Sequence, residues 1–405
     1  MGLLLVYFYE RDQDAGRYAY YGVMGLRHRG YKASYAVLAA DGFRLGEADP
    51  WSEWSLPSGF AAVVAIAPSA KLGLSKGSGL SAVAAVDGGC PASRLARLAL
   101  TGKGEEAAHA LASHEEYSPC AAVVLRSDGL FIAGRGRKSR RPLSIGGYGF
   151  ESLYAATETA PISLMGGAVR HDLDAGEVVY GSQFELERVH VKGERRTSLM
   201  EYVYVARPDS LVDGVNVYVF RREMGRRLAR HHDAAVDIVT GVPETAIPYA
   251  IGYAEEKSAK FEHGFTSSLG RRRTAVLPLG YRERLIMLSL KLNPVPEIFK
   301  GKSVAIVDDS VVTGLTLKVV IQRLRRAYGA REVHVAVSSP KVTHACPFSV
   351  QSFNPQTLLA RHVSDAVLER VLDADSVAWL PLREATSYLR GFGIEPCTSC
   401  IGEAP

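Results

Sequence analysis

One stretch restricts the fold more than any other: Ser303–Lys318, which reads SVAIVDDSVVTGLTLK. Val304-Ala305-Ile306-Val307 is a short continuous apolar run, the pattern of a strand buried on both faces. It stops at two adjacent carboxylates, Asp308 and Asp309. A short loop of hydroxyls and glycine follows, and a helix begins near Leu315. A buried strand that turns through small residues into a helix belongs in a parallel sheet, because parallel neighbours need a crossover connection. The flanking sequence agrees. Strand candidates at Ala235–Val239, Ala275–Pro278, Val304–Val307 and Val333–Val337 alternate with helical spacing at Val215–His231 and Leu317–Tyr328.

In open parallel sheets, ligands bind at the carboxyl ends of the strands, so the turn after Val307 is where a site is expected. Ser310, Thr313, Gly314 and Thr316 are small or hydroxylated and let backbone N–H groups approach a phosphate. The helix start adds its dipole and orphan donors. Two carboxylates beside a phosphate nest are at odds with it electrostatically unless they address hydroxyls or a hard cation. A ribose 5-phosphate meets both demands, and magnesium on a pyrophosphate leaving group completes the charge balance. On these residues alone a plainer reading stays open: Asp308 and Asp309 end a strand, and Ser310 or Thr313 caps a helix.

At 405 residues the chain is long enough for two domains. With 47% hydrophobic and 22% charged residues it is globular in composition. The net charge of +5 is spread along the sequence, and Arg271-Arg272-Arg273 is a short basic run rather than a nucleic-acid stripe. No apolar run is long enough to span a bilayer, and the first residues lack signal-peptide and myristoylation patterns. A cytoplasmic protein without nucleic-acid or membrane partners is therefore expected. Five cysteines do not make a secreted disulfide framework. The first half holds strand candidates at Leu3–Tyr9, Tyr35–Ala39, Ala61–Ile66, Ala121–Leu125 and Glu177–Tyr180, with helices at Tyr18–Arg27 and Ala92–Leu100, which predicts sheet layers covered by helices. A polar, basic connector lies at Val191–Thr197.

VDDSVVTGLT resembles the phosphoribosyl pyrophosphate (PRPP) signature of type I phosphoribosyltransferases. Other segments are similar to one family, the amidophosphoribosyltransferases: Glu201–Ser210 (EYVYVARPDS), Gly241–Pro248 (GVPETAIP) with Gly252-Tyr253-Ala254, Lys291-Leu292-Asn293-Pro294, Ser338-Ser339-Pro340 and Ala374-Asp375-Ser376. In the first half, Leu26–Gly30 (LRHRG), Arg141-Pro142-Leu143, Ala156–Thr159 (ATET), Val169-Arg170 and Gly176-Glu177 resemble the same family, as does the Cys397-Thr398-Ser399-Cys400 tail. The resemblance is dense over residues 198 to 340 and thin over 40 to 130. It implies an αββα domain of the N-terminal-nucleophile type over residues 1–195. A type I phosphoribosyltransferase domain with a parallel sheet would follow over 196–385, and a CxxC tail over 386–405. It further implies formation of 5-phosphoribosylamine from PRPP, a step of purine biosynthesis, by a homo-oligomeric enzyme. Asp308 and Asp309 would act at the reacting centre; Ser310, Thr313, Gly314 and Thr316 would hold the 5-phosphate; Glu244, Thr245 and Lys291 would meet pyrophosphate.

The sequence also departs from the family. Its glutaminase half uses an N-terminal cysteine, whereas here Gly2 follows Met1. The family's Arg-Tyr-Ser-Thr segment has no counterpart around Val63 to Gly73, and its oxyanion-hole Asn-Gly is replaced near Asp87-Gly88-Gly89. Cys90 and Cys120 read as small buried apolar side chains rather than substitutes. The expectation is an inactive glutaminase, with ammonia drawn from solution, a separate glutaminase or an intact paralogue. In the transferase half, Thr313 and Leu315 stand where Arg and Thr are usual, Ser289 where the mobile loop has Arg, and Glu244-Thr245 where Asp-Ser is usual. Arg282, Arg284 and Lys291 are candidates to replace the lost phosphate contacts. A non-catalytic subunit that binds PRPP or nucleotides is the alternative. Cys346, Cys397 and Cys400 match three of the four cysteines that hold an iron–sulfur cluster in some members, with Ser198 at the fourth position. A cluster with another ligand, a zinc site, a disulfide and a metal-free vestige all stay open.

Overall fold

The computed structural model describes residues 1–68, 72–77, 79–183, 185–266, 283, 286, 292–348 and 354–401. The chain forms two compact units: Met1–Ser198 with Ser210–Gly214 and Phe348–Val350, and Leu199–Asp209 with Val215–Pro347 and Gln351–Pro405.

The first unit is built on two antiparallel sheets. One runs β11-β9-β10-β1-β4-β2-β3, from strands β1 (Gly2–Phe8), β2 (Lys32–Ala39), β3 (Gly42–Ala48), β4 (Ala61–Ala67), β9 (Ser144–Gly147), β10 (Ser152–Ala156) and β11 (Ala168–Asp172). The other runs β13-β12-β8-β7-β6-β5, from β5 (Gly73–Lys76), β6 (Ser81–Asp87), β7 (Ala121–Arg126), β8 (Phe131–Arg135), β12 (Glu177–Gly181) and β13 (Leu186–His190). Helices α1 (Ala15–Leu26) and α4 (Thr159–Leu164) cover the first sheet, while α2 (Ala92–Thr101) and α3 (Gly104–Ser113) cover the second. Strand β1 shows why the order of layers is αββα. Its residues are buried throughout, and they alternate. Leu3, Leu5 and Tyr7 join Val123, Leu125 and Phe131 between the sheets, and Leu4, Val6 and Phe8 face Ala19 and Val23 of α1.

Cys90 and Cys120, read from sequence as separate apolar side chains, are joined by a disulfide with Cα atoms 6.2 Å apart. Strand pairing brings them together, because Asp87 on β6 lies opposite Ala121 on β7. The bond closes a segment containing α2 and α3, a pairing that spacing alone could not reveal.

The second unit contains a five-stranded parallel sheet of order β15-β14-β16-β17-β18, with β14 (Ile238–Gly241), β15 (Lys260–Phe261), β16 (Ser303–Asp308), β17 (Glu332–Val337) and β18 (Ser376–Trp379). Its helices include α5 (Val217–Arg230), α6 (Ile247–Lys257), α7 (Leu315–Arg326), α8 (Asp365–Leu372) and α9 (Leu382–Arg390). The helical stripe Leu317, Val320, Ile321, Leu324 packs on Val304 and Ile306 of β16 and on Val333 and Val335 of β17. The expected strand Ala275–Pro278, the run Arg271–Arg273, and Arg282, Arg284, Ser289 and Lys291 lie outside the described residues. Among the described residues no helix is long and apolar enough to cross a membrane.

Candidate active site

Register places three loops at one edge of the parallel sheet. Gly241 at the end of β14 lies beside Val307, and Asp308 at the end of β16 lies beside Val337. The loops that follow are Val242–Thr245, Asp309–Gly314 and Ser338-Ser339-Pro340. Backbone bonds tie them together: Val242 N–H donates to Val307 O at 2.9 Å, and Ser338 N–H to Asp308 O at 2.8 Å. This is the carboxyl edge, where a parallel sheet gathers ligand-binding loops.

Asp308 and Asp309 are each 8% exposed. Asp308 Oδ1 accepts the Asp309 N–H at 2.9 Å, and Asp309 Oδ1 accepts the Ser310 hydroxyl at 2.7 Å. The local sequence thus orients its own carboxylates. Gly314 precedes α7 with φ of 68°, in the left-handed region that favours glycine, and a Cβ there would lie 2.5 Å from Leu359 Cδ2. That conformation turns the chain from the acid pair into the helix, whose first N–H groups face the loop. Thr313 is exposed, while Ser310 and Thr316 are half-buried around the same turn. In the neighbouring loop Glu244 is exposed and Thr245 half-buried, and the Pro243–Glu244 peptide is cis. Asp308, Asp309, Ser310, Thr313, Gly314, Thr316, Glu244 and Thr245 therefore share one edge, whereas Lys291 lies outside the described residues. An all-oxygen donor set of this kind suits a hard cation such as magnesium.

Residues 237–345 match the model of the phosphoribosyl transferase domain. The chain is 35% identical to the amidophosphoribosyltransferase of Pyrococcus horikoshii over 66% of this chain and 58% of that protein. It is 34% identical to that of Bacillus subtilis, over 62% and 52%. A solved structure described as the allosteric regulatory enzyme of purine biosynthesis superposes with a TM-score of 0.82 at 25% identity, over 100% of this chain and 96% of that one. The chain is similar in sequence and in fold to the amidophosphoribosyltransferases. The Bacillus subtilis glutamine PRPP amidotransferase complexed with ADP and GMP shares the fold, with a TM-score of 0.81 at 24% identity over 100% and 97% of the two chains. In sequence, the match covers less than two thirds of the length of the relatives named.

Two family-like motifs of the first unit, LRHRG and ATET, meet at the start of β1. Glu158 of ATET is fully buried and holds LRHRG in place: His28 Nε2 lies 2.6 Å from Glu158 Oε1, Arg29 Nε donates to the same oxygen, and Ser210 Oγ donates to Oε2 at 2.9 Å. Thr157 Oγ1 accepts the Leu3 N–H at 2.7 Å. Gly30 has backbone of Ala67 2.6 Å from where a Cβ would stand. A Cβ on Gly2 would come within 3.1 Å of Arg29 Cδ and 3.4 Å of Leu26 Cβ. The scaffold around position 2 is thus held by motif residues, and it is tight. Asp87, where the family's Asn-Gly is replaced, pairs with Arg141 of the RPL motif at 3.2 Å, with the Met1 amine 3.8 Å away. Sequence reasoning missed this pair, because an acid and an arginine so far apart in the chain give no joint signal.

The cysteine expectation changes. Cys397 and Cys400 are buried free thiols, and Cys346 is half-buried. Burial, with Cys346 and Cys397 adding to it, pushes the Cys400 thiol up to about 12. Among the described residues no group of three or more His, Cys, Asp or Glu side chains could hold a metal ion. The iron–sulfur or zinc site at Cys346, Cys397 and Cys400 is therefore not supported. Ser198, which stands where the remaining cysteine would be, is buried at the end of the strand Arg196–Ser198.

Proposed function

We propose that the second unit transfers the phosphoribosyl group of PRPP to ammonia, giving 5-phosphoribosylamine and pyrophosphate, and that the first unit is a glutaminase-type scaffold without a working nucleophile. The observation that carries the first half is the acid pair Asp308–Asp309, set at the carboxyl edge between the Val242–Thr245 loop and the turn into α7. The nitrogen lone pair forms the new bond to C1 as the C1–oxygen bond breaks toward pyrophosphate, and the attacking ammonia then loses a proton to water. Positive charge develops on the ribose, and Asp308 and Asp309 hold its hydroxyls and stabilise that charge in a largely buried setting. Ser310, Thr313, Gly314 and Thr316 bind the 5-phosphate at the start of α7, where backbone N–H groups and helix dipole favour an anion. Glu244, Thr245 and Lys291 address the pyrophosphate. Magnesium, when bound with the substrate, neutralises charge on the leaving group.

The second half rests on the thiols. The two cysteines of the first unit are bonded to each other, and position 2 is packed against Arg29 and Leu26. Ammonia then comes from solution, from a separate glutaminase or from an intact paralogue. The same reading makes the protein a cytoplasmic homo-oligomer. Calorimetric titration with PRPP and magnesium tests the site: binding by the native chain, weakened at least tenfold in Asp308→Asn and Asp309→Asn, is expected. Equal binding by the variants would contradict the assignment. Binding without any turnover would instead favour a non-catalytic PRPP-binding subunit.

A further inference from the structure

The mechanism above leaves two buried polar side chains of the second unit without a role. Arg221 of α5 is 1% exposed; its Nε donates to Tyr202 O and its Nη2 to Ala206 O, both at 2.8 Å. Tyr249 of α6 is fully buried, and its hydroxyl donates to Val203 O at 3.0 Å. The two side chains therefore grip carbonyls of one wide helical turn, Glu201–Val205, and of Ala206 that caps it, from two different helices. Those helices meet at backbone contact: a Cβ on Gly225 of α5 would lie 2.0 Å from Tyr249 O, and one on Gly252 of α6 would lie 1.8 Å from Arg222 O. Arg221, Tyr249 and the turn they hold thus form a close-packed block with little freedom to shift.

The place of that block is what gives it a function. Tyr249 is in the first turn of α6, which starts directly after Glu244-Thr245-Ala246, and α6 packs on β14 and on β16, the strand that delivers Asp308. Fixing the first turn of α6 fixes the loop before it. Electrostatics bring the acid pair into the same neighbourhood. Burial pushes the Tyr249 phenol well above its ordinary range, Arg221 acts against that shift and Asp309 adds to it. The hydroxyl stays protonated and remains a donor.

Resting on the transferase reading, we infer that Tyr249 and Arg221 are positioning residues: they lock α6 to the Glu201–Val205 turn and so preset the Glu244–Thr245 loop beside the acid pair before substrate arrives. Preset geometry lowers the barrier of the chemical step more than it changes ground-state affinity. The test compares native protein with Tyr249→Phe, Arg221→Lys and Arg221→Met. It measures kcat and KM for ammonium-dependent pyrophosphate release, calorimetric affinity for PRPP with magnesium, and melting temperature. Tyr249→Phe is expected to lower kcat roughly tenfold while KM and affinity stay within about twofold, with little change in melting. Arg221→Lys, which keeps the charge but not the two-pronged contact, is expected between native and Arg221→Met. Tyr249→Phe decides the matter even where Arg221→Met fails to fold. A native kcat in Tyr249→Phe, with the native protein active, would overturn this inference alone. A native protein that neither binds nor consumes PRPP would overturn the transferase reading and this inference with it.

Discussion

The two units place their buried acids differently. In the first, acids are matched to internal partners: Glu158 to His28 and Arg29, Asp87 to Arg141, and Arg135 to Asp213 at 2.7 Å. These pairs tie distant segments together. In the second, Asp308 and Asp309 stand next to each other at the end of a strand, oriented by a backbone N–H and a serine hydroxyl. Their place at the carboxyl edge of a parallel sheet lets them meet a ligand that supplies hydroxyls and cation. The difference teaches where each unit directs these acids: inward, toward structure, in the first, and toward a loop-lined edge in the second. Cysteine usage follows the same division, with both thiols of the first unit joined in a disulfide and those of the second free.

The comparison breaks most sharply at the acid pair. Asp309→Asn keeps the shape and removes one charge, so ammonia-dependent pyrophosphate release is expected to fall on the order of 10²–10³-fold. Melting of the first unit should stay unchanged. An active Asp309→Asn protein would remove the contrast altogether.

Next comes the disulfide. Cys90→Ser, or reduction, opens a link of sequence separation 30, which is expected to lower the stability of the first unit by about 3–4 kcal/mol. Denaturant unfolding checks this, and transferase turnover should not follow the loss.

A third, comparable effect is confined to the second unit and depends on pH. Burial, aided by His334 and Lys257 and opposed by Asp233, holds His232 down to about 4. Its Nδ1 lies 2.8 Å from Tyr253 OH and its Nε2 2.7 Å from Ser376 Oγ. A neutral histidine in the fold and an ordinary one in the unfolded chain mean that the unfolded state binds more protons. The contribution is therefore complete above about pH 6.5 and is lost as pH falls toward 4, amounting to about 3 kcal/mol. Urea unfolding at pH 7 and pH 4.5 should show the loss, and His232→Gln should flatten it.

The smallest effect is at Gly314. Alanine there meets both a positive φ and Leu359, and is expected to cost about 1–2 kcal/mol and to raise KM for PRPP without abolishing release.

Much of this was legible in the sequence for a physical reason. β16 is a continuous apolar run that stops at charge, and its neighbour α7 carries an unbroken Leu317, Val320, Ile321, Leu324 stripe, so strand, turn and helix each have their own period. The Asp308–Thr316 turn was readable because local bonds shape it. The disulfide, the Asp87–Arg141 pair and the Arg221–Tyr249 grip were not. Each joins residues whose proximity is created by packing, and Arg221 in isolation reads as one more basic residue of an arginine-rich helix. The spacing of Cys346, Cys397 and Cys400 did not decide between a metal site and a metal-free vestige, and among the described residues no group of side chains that could hold a metal forms there.

The most direct test follows pyrophosphate release from PRPP and magnesium with ammonium chloride and, separately, with glutamine. Release with ammonium and none with glutamine is the predicted result. Glutamine-driven release that a thiol-blocking reagent abolishes would contradict the account of the first unit, and no release with either donor would contradict that of the second.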